Sequence, residues 1–153
     1  INDVSEGEAD YTLFRTVAKL NVPYILMSTK PTLRDMMISF AQKVQQLRDL
    51  GVKDIILDPG FGFGKTIEQN FCILSDMEKL RELELPILVG ISRKSMIFKT
   101  LECTPNESLN GTSVINTISL MKGASILRVH DVKEATEVIK IVNALRFRHQ
   151  RYR

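Results

Sequence analysis

Short runs rich in Ile, Leu and Val, each followed by a longer segment of helical period, constrain this chain more than any other feature. The runs are Val22 to Met27 (with Pro23 at its edge), Asp54 to Leu57, Pro86 to Ile91 and Ser125 to Val129. Ile1 to Val4 reads as the end of a further one. Near-continuous apolar runs of this length suit strands buried on both faces, which is the signature of a parallel sheet.

The intervening segments carry the helical signals. In Thr32 to Leu50, Met37, Phe40, Ala41, Val44 and Leu47 fall on one stripe, and Gly51 is placed to end the helix in a left-handed conformation. Thr66 with Gln69 forms a capping box ahead of Phe71, Leu74, Met77 and Leu80. Thr104, Pro105 and Glu107 form another, with proline at the first helical position. Gly123 closes the stretch that ends near Met121 and Lys122. Asp131 and Glu134 open a last helix carrying Val138, Ile139, Val142 and Leu145. Strand and helix thus alternate five times, which implies parallel crossovers and leaves two architectures, the doubly wound open sheet and the eightfold barrel.

No low-complexity linker divides the 153 residues, so residues 1–153 read as part of one domain. A net charge of +3, with basic residues spread along the chain, gives no argument for nucleic acid or a membrane surface. The one basic concentration is Arg146, Arg148, Arg151 and Arg153, expected to be a solvated helix terminus. Cys72 and Cys103 have neither metal-ligand nor disulfide-framework spacing, and their apolar surroundings predict buried, inert thiols in a reducing cytoplasm. No apolar run approaches membrane-spanning length. Ile1 falls inside an apparent strand, so a fragment boundary is expected there.

Polar and special residues gather where strands end. Asn2 and Asp3 follow Ile1, Ser28 follows Met27, Asp58 follows Leu57, Ser92-Arg93-Lys94 follow Ile91, and Arg128 and His130 close the last run. In parallel α/β folds those ends converge on the ligand site. Arg128 and His130, two apart, would share one side of a strand and suit an anion such as pyrophosphate. Asp58 opens Asp58-Pro59-Gly60-Phe61-Gly62-Phe63-Gly64-Lys65. A carboxylate leaving a buried strand can accept two parallel N–H donors, and the glycines permit close backbone approach to a flat ligand. Gly64-Lys65-Thr66 hints at a phosphate loop, but that motif needs glycine where Pro59 stands. Lys94, just beyond a buried strand, needs an acceptor or an anion, whereas Arg93 is open to either solvent or a structural acid. Spacing alone thus reaches an anionic or flat heteroaromatic ligand at the top of an α/β sheet.

At these residues the chain resembles the dihydropteroate synthase family. Leu57 to Lys65 resembles its sixth-strand signature, Gly90-Ile91-Ser92-Arg93-Lys94-Ser95 the motif after strand seven, and Arg128-Val129-His130-Asp131-Val132 the end of strand eight. Ile1-Asn2-Asp3 resembles the end of strand four. The resemblance implies a TIM (β/α)8 barrel of the pterin-binding type, of which about five βα units stand here. It also implies a transferase that condenses 6-hydroxymethyl-7,8-dihydropterin diphosphate with p-aminobenzoate, releasing pyrophosphate in tetrahydrofolate biosynthesis. By resemblance, Asp58, Asn2, Lys94, Met27 and Gly62 would hold the pterin. Ser92 and Phe63 would line the p-aminobenzoate pocket, and Arg128 and His130 would bind the diphosphate. Lys94, Arg128 and His130 would be the catalytic set.

The same resemblance implies Mg2+, a cytoplasmic homodimer through the late helices, and sulfonamide sensitivity. The family's magnesium-binding asparagine belongs to strands before the fourth, so no metal ligand is expected in this chain, and this part alone is expected to be inactive. After strand five the family carries histidine and a longer loop, whereas this chain reads Met27-Ser28-Thr29-Lys30-Pro31. Two rivals are another pterin-binding barrel, such as a methyltetrahydrofolate methyltransferase, and a non-catalytic half-barrel.

Overall fold

The computed structural model describes residues 1–7 and 12–151, with side chains as far as Arg146. Five strands form, β1 (Asn2–Asp3), β2 (Tyr24–Met27), β3 (Ile55–Asp58), β4 (Leu88–Val89) and β5 (Ile126–Leu127). The helices are α1 (Leu13–Leu20), α2 (Leu33–Asp49), α3 (Ile67–Ser75), α4 (Ser95–Phe98), α5 (Leu109–Met121) and α6 (Val132–Arg151). Every strand pairing is parallel. β1, β2 and β3 join through Asn2–Ile25 and Met27–Asp58 registers, and β4 pairs with β5 through Leu88–Ile126. A parallel bridge from Leu57 to Ile87 links the two groups.

The strands therefore lie side by side in chain order. A doubly wound sheet reverses its strand order at a switch point. No reversal occurs here, so of the two architectures only the barrel fits, as an arc of five of its strands. All the strands point the same way, which carries the polar residues beyond them to one face.

The core follows from the runs. Leu26, Leu57 and Val89 on the strands and Ile87 just before β4 pack with Met36, Phe40, Val44 and Leu47 of α2, Ile73 and Leu74 of α3, and Ile115 and Leu120 of α5. The buried stripe of α2 thus starts at Met36, and Ala41, expected on it, is exposed. Met36, Phe40, Val44 and Leu47 keep the spacing of 4, 4 and 3 that holds a stripe straight on a 3.6-residue helix. The capping box of α3 forms in both directions, Thr66 N–H donating to Gln69 Oε1 at 2.8 Å and Gln69 N–H to Thr66 Oγ1 at 3.2 Å. The second box, with Thr104 N–H on Glu107 Oε2 at 3.0 Å, opens only a 3-10 turn over Pro105–Glu107 before α5.

Two further expectations fail. Strands β4 and β5 are two residues long, and Ile126 of β5 is exposed, because that strand has a partner on one side only among the described residues. Cys72 is also exposed, not buried, since α3 turns Asn70, Ile73 and Leu74 inward and leaves Cys72 on its outer face; Cys103 is half-buried, and both thiols are free. At the C-terminal end, Arg146 donates to Leu120 O, while Arg148, Arg151 and Arg153 lie outside the residues whose side chains are described. Among the described residues no helix is long and apolar enough to cross a membrane.

Candidate active site

The buried run of β3 ends on Asp58, only 3% exposed. Its Oδ1 accepts the Gly60 N–H at 2.8 Å, and its Oδ2 accepts Arg128 Nη1 at 3.2 Å. The same guanidinium donates through Nη2 to Asn2 Oδ1 at 2.8 Å, so one arginine joins the ends of β1 and β3. Burial raises the pKa of Asp58, against the opposing pull of the Gly60 hydrogen bond and of Arg128, Lys94 and Lys65. One carboxylate therefore faces three cations.

The glycine-rich loop places the two lysines among those cations. Gly60 has φ +65°, and a Cβ there would sit 2.2 Å from Ser28 O, so only glycine lets the loop lie against the end of β2. Met27, buried at that end, lies beneath it. Lys65 donates to Ser28 O (2.8 Å), Gly60 O (3.0 Å) and Phe63 O (3.2 Å), closing the loop upon itself. Burial lowers the pKa of Lys65 to about 8, although Asp58 and Glu6 favour its charged form. Asn70 Oδ1 accepts the Gly62 N–H at 2.9 Å, anchoring the loop to α3. Lys94 donates to Phe61 O and lies 4.5 Å above the centre of the Phe63 ring. Burial lowers its pKa as well, with Asp58 opposing. Gly62 (φ +80°) leaves room for it: a Cβ would meet Lys94 Cδ at 3.0 Å.

A second cluster follows β4 and β5. Ser92 is buried, and its Oγ accepts the His130 N–H at 3.3 Å and lies 3.1 Å from His130 Nδ1. Arg93, at φ +55°, pairs with Asp131 through Nε–Oδ2 (3.0 Å) and Nη2–Oδ1 (2.6 Å). It also donates from Nη1 to Asn106 Oδ1 (3.2 Å), and its N–H meets Thr112 Oγ1 at 3.1 Å. The hydrogen bonds from Arg93 hold the Asp131 carboxyl below its ordinary range. The structural acid is thus the partner of Arg93.

Asn2, Asp58 and Arg128 come together directly, with Phe63 and Gly62 in the adjoining loop, Lys94 reaching that loop from beyond β4, and Ser92 against His130. Arg128 and His130 do not act as a pair here; β5 stops at Leu127, and the two side chains take separate partners. Sequence reasoning missed Lys65 and Asn70. A polar Asn70 between Ile67 and Ile73 on the inward face of α3 was the available signal for one, and the weak phosphate-loop likeness concealed the other. Asp3 was seen but its task was not. Burial would raise its pKa, but Ser5 Oγ, Tyr24 Oη, Ser5 N–H and Gly7 N–H all donate to it and hold it low. It thereby fixes the turn after β1. Among the described residues no three His, Cys, Asp or Glu side chains lie together as a metal site.

Comparison with known proteins adds an independent line. The family model described as "Pterin binding enzyme" matches residues 1–130. A dihydropteroate synthase from Clostridium beijerinckii is 39% identical over 154 residues, covering 95% of this chain and 57% of that protein. One from Bacillus subtilis is 35% identical, covering 95% of this chain and 54% of the relative. Among solved structures, a dihydropteroate synthase from Clostridium difficile, determined in the presence of pteroic acid, superposes with a TM-score of 0.89 at 32% identity, over 94% of this chain and 58% of that one. A Yersinia pestis enzyme with a pterine-sulfa conjugate gives 0.89 at 36% identity, over 95% and 60%. The chain spans about half the length of the curated relatives it matches. Its five-stranded arc is part of the TIM barrel of these enzymes.

Proposed function

The chain belongs to the pterin-binding enzyme family, and on that premise we propose that it is the C-terminal portion, strands four to eight, of one dihydropteroate synthase barrel. The reaction proposed for the complete protein joins 6-hydroxymethyl-7,8-dihydropterin diphosphate to p-aminobenzoate, giving 7,8-dihydropteroate and pyrophosphate for folate synthesis. One observation carries this reading: a buried carboxylate set among three cations at the converging strand ends. The carboxylate suits the two adjacent N–H donors of a pterin, and the surplus of positive charge suits a diphosphate.

In this reading Asp58 accepts the pterin's 2-amino and N3–H groups, Asn2 meets a neighbouring ring nitrogen, and Met27 and Gly62 bound the ring. Its neighbouring cations favour the ionised form of Asp58, the form that accepts, against the burial that raises its pKa. Scission of the bond from the pterin methylene to the diphosphate oxygen sends the electron pair to the leaving group, where Arg128 and His130 offset the growing charge. The p-aminobenzoate nitrogen forms the new bond to the methylene and releases its proton to water, so no strong base is needed. Lys94 borders both ligands, Phe63 lines the p-aminobenzoate pocket, and Ser92 meets the p-aminobenzoate carboxylate while also orienting His130. A magnesium ion, when bound, would neutralise diphosphate charge; among the described residues no three His, Cys, Asp or Glu side chains lie together to hold it. A cytoplasmic homodimer through α5 and α6 goes with the proposal, supported by exposed Val114, Met121, Ile141 and Leu145 on those helices.

The test is pyrophosphate release by the full-length polypeptide. Release is expected only with both substrates present, with dihydropteroate formed in equal amount. Pterin diphosphate and p-aminobenzoate left intact by a folded, magnesium-supplied protein would refute the proposal.

A further inference from the structure

Arg128 already does what a pterin would do. Its flat guanidinium bridges Asp58 Oδ2 and Asn2 Oδ1 at 3.2 and 2.8 Å, joining the two side chains to which the proposed function assigns the pterin edge. The 2-amino–N3 edge of a pterin has the same chemical form, adjacent N–H donors on one planar N–C–N unit. Two flat donors cannot lie between the same acceptors at once. We infer that Arg128 is a specificity-determining residue: it holds the pterin-edge acceptors in the unliganded site and yields them only to a pterin whose diphosphate supplies a new anionic partner. The inference rests on the pterin reading of this site.

The surroundings fit that part. Asp58 is buried and needs a cation when no ligand is present. Lys94 is turned to Phe61 O and Lys65 to three carbonyls, so among the described residues Arg128 is the cation that hydrogen-bonds the carboxylate. Its own side chain is 46% exposed and rises past Gly90, where a Cβ would stand 3.7 Å from its Cβ and Cδ. Swinging outward therefore disturbs no core contact. A pterin without phosphates must break both contacts of Arg128 and gives the guanidinium nothing in return. A pterin diphosphate gives it phosphate oxygens, which accept in bidentate fashion.

The experiment is calorimetric titration of the full-length protein with 6-hydroxymethyl-7,8-dihydropterin and, separately, with its diphosphate. Arg128→Met is expected to bind the unphosphorylated pterin about tenfold more tightly than the wild type and the diphosphate more than about tenfold more weakly, each being roughly one charge-assisted hydrogen bond. Arg128→Lys keeps the charge but cannot bridge both acceptors, so its affinity for the unphosphorylated pterin should fall between the two. If both variants bind that pterin no better than the wild type, the inference is overturned while the pterin site stands. If Asp58→Asn leaves both affinities unchanged, or neither ligand binds the wild type, the pterin site itself fails and the inference with it.

Discussion

Asp58 at the end of β3 and Arg93 beyond β4 rise from neighbouring strands to the same face, yet their surroundings handle charge in opposite ways. After β4, Arg93 is matched by one carboxylate, Asp131, in a two-point pair reinforced by Asn106 and Thr112. At the end of β3, the Asp58 carboxylate answers three cations, Lys65 from its own loop, Lys94 from beyond β4 and Arg128 from beyond β5, and the two lysines turn to main-chain carbonyls. A balanced pair needs nothing more and serves as scaffold. An unbalanced set is held in place by backbone acceptors and gains most when an anion arrives. On the proposed function, the Asp58 cluster binds and the Arg93–Asp131 pair positions.

Substitutions can break this contrast. The largest effect belongs to Asp58→Asn in the full-length protein. An amide donor then faces the donors of the pterin, and titration should show a loss of about 2–4 kcal/mol in affinity, from the missing charge-assisted pair and an unsatisfied donor. Unchanged affinity would place the binding loop elsewhere.

A smaller effect follows from pH. Lys65 titrates near 8 in the fold, below the ordinary 10.5. Between those values the unfolded chain holds the proton and the folded chain has lost it, so the contribution of Lys65 to stability rises with pH across that window. Attraction for an anion runs the other way, because a positive charge beside the site disappears. Affinity for the pterin diphosphate should therefore fall roughly three- to tenfold from pH 7 to 9, and Lys65→Met should flatten that profile. A wild-type profile already flat over the same range would remove Lys65 from the charge set.

The smallest effect on binding should come from Arg93→Ala. Losing the pair with Asp131 loosens the loop, and a thermal melt should show a drop of a few degrees, about what a modest surface network supports. Pterin affinity should change less than about threefold. Should Arg93→Ala abolish binding without lowering the melting temperature, the division into scaffold pair and binding cluster would be wrong.

Much of this was legible in the sequence. The apolar runs announced parallel strands because burial on both faces demands them, and their polar ends marked the site. The choice of barrel over open sheet was not legible from the pattern, since alternation fixes direction but not which strand lies beside which; only the family resemblance supplied it. The site residues Asp58, Arg128 and Asn2 stood out individually, but their contact spans up to 126 positions and depends on β1 and β5 both reaching that face. Lys65 was missed for a different reason. Its partners are main-chain carbonyls, which have no sequence signature. Ala41 and Cys72 were mistaken because one turn of a helix carries apolar residues on both sides of the true stripe.

The most direct test of the central claim, that the Asp58 cluster holds the pterin, is a crystal structure of the full-length protein bound to dihydropterin diphosphate. The account predicts both Asp58 oxygens within hydrogen-bonding distance of the pterin 2-amino and N3 atoms, with Arg128 turned away to the phosphates. A pterin bound elsewhere, or an Asp58 still paired with Arg128 beside the bound ligand, would contradict it.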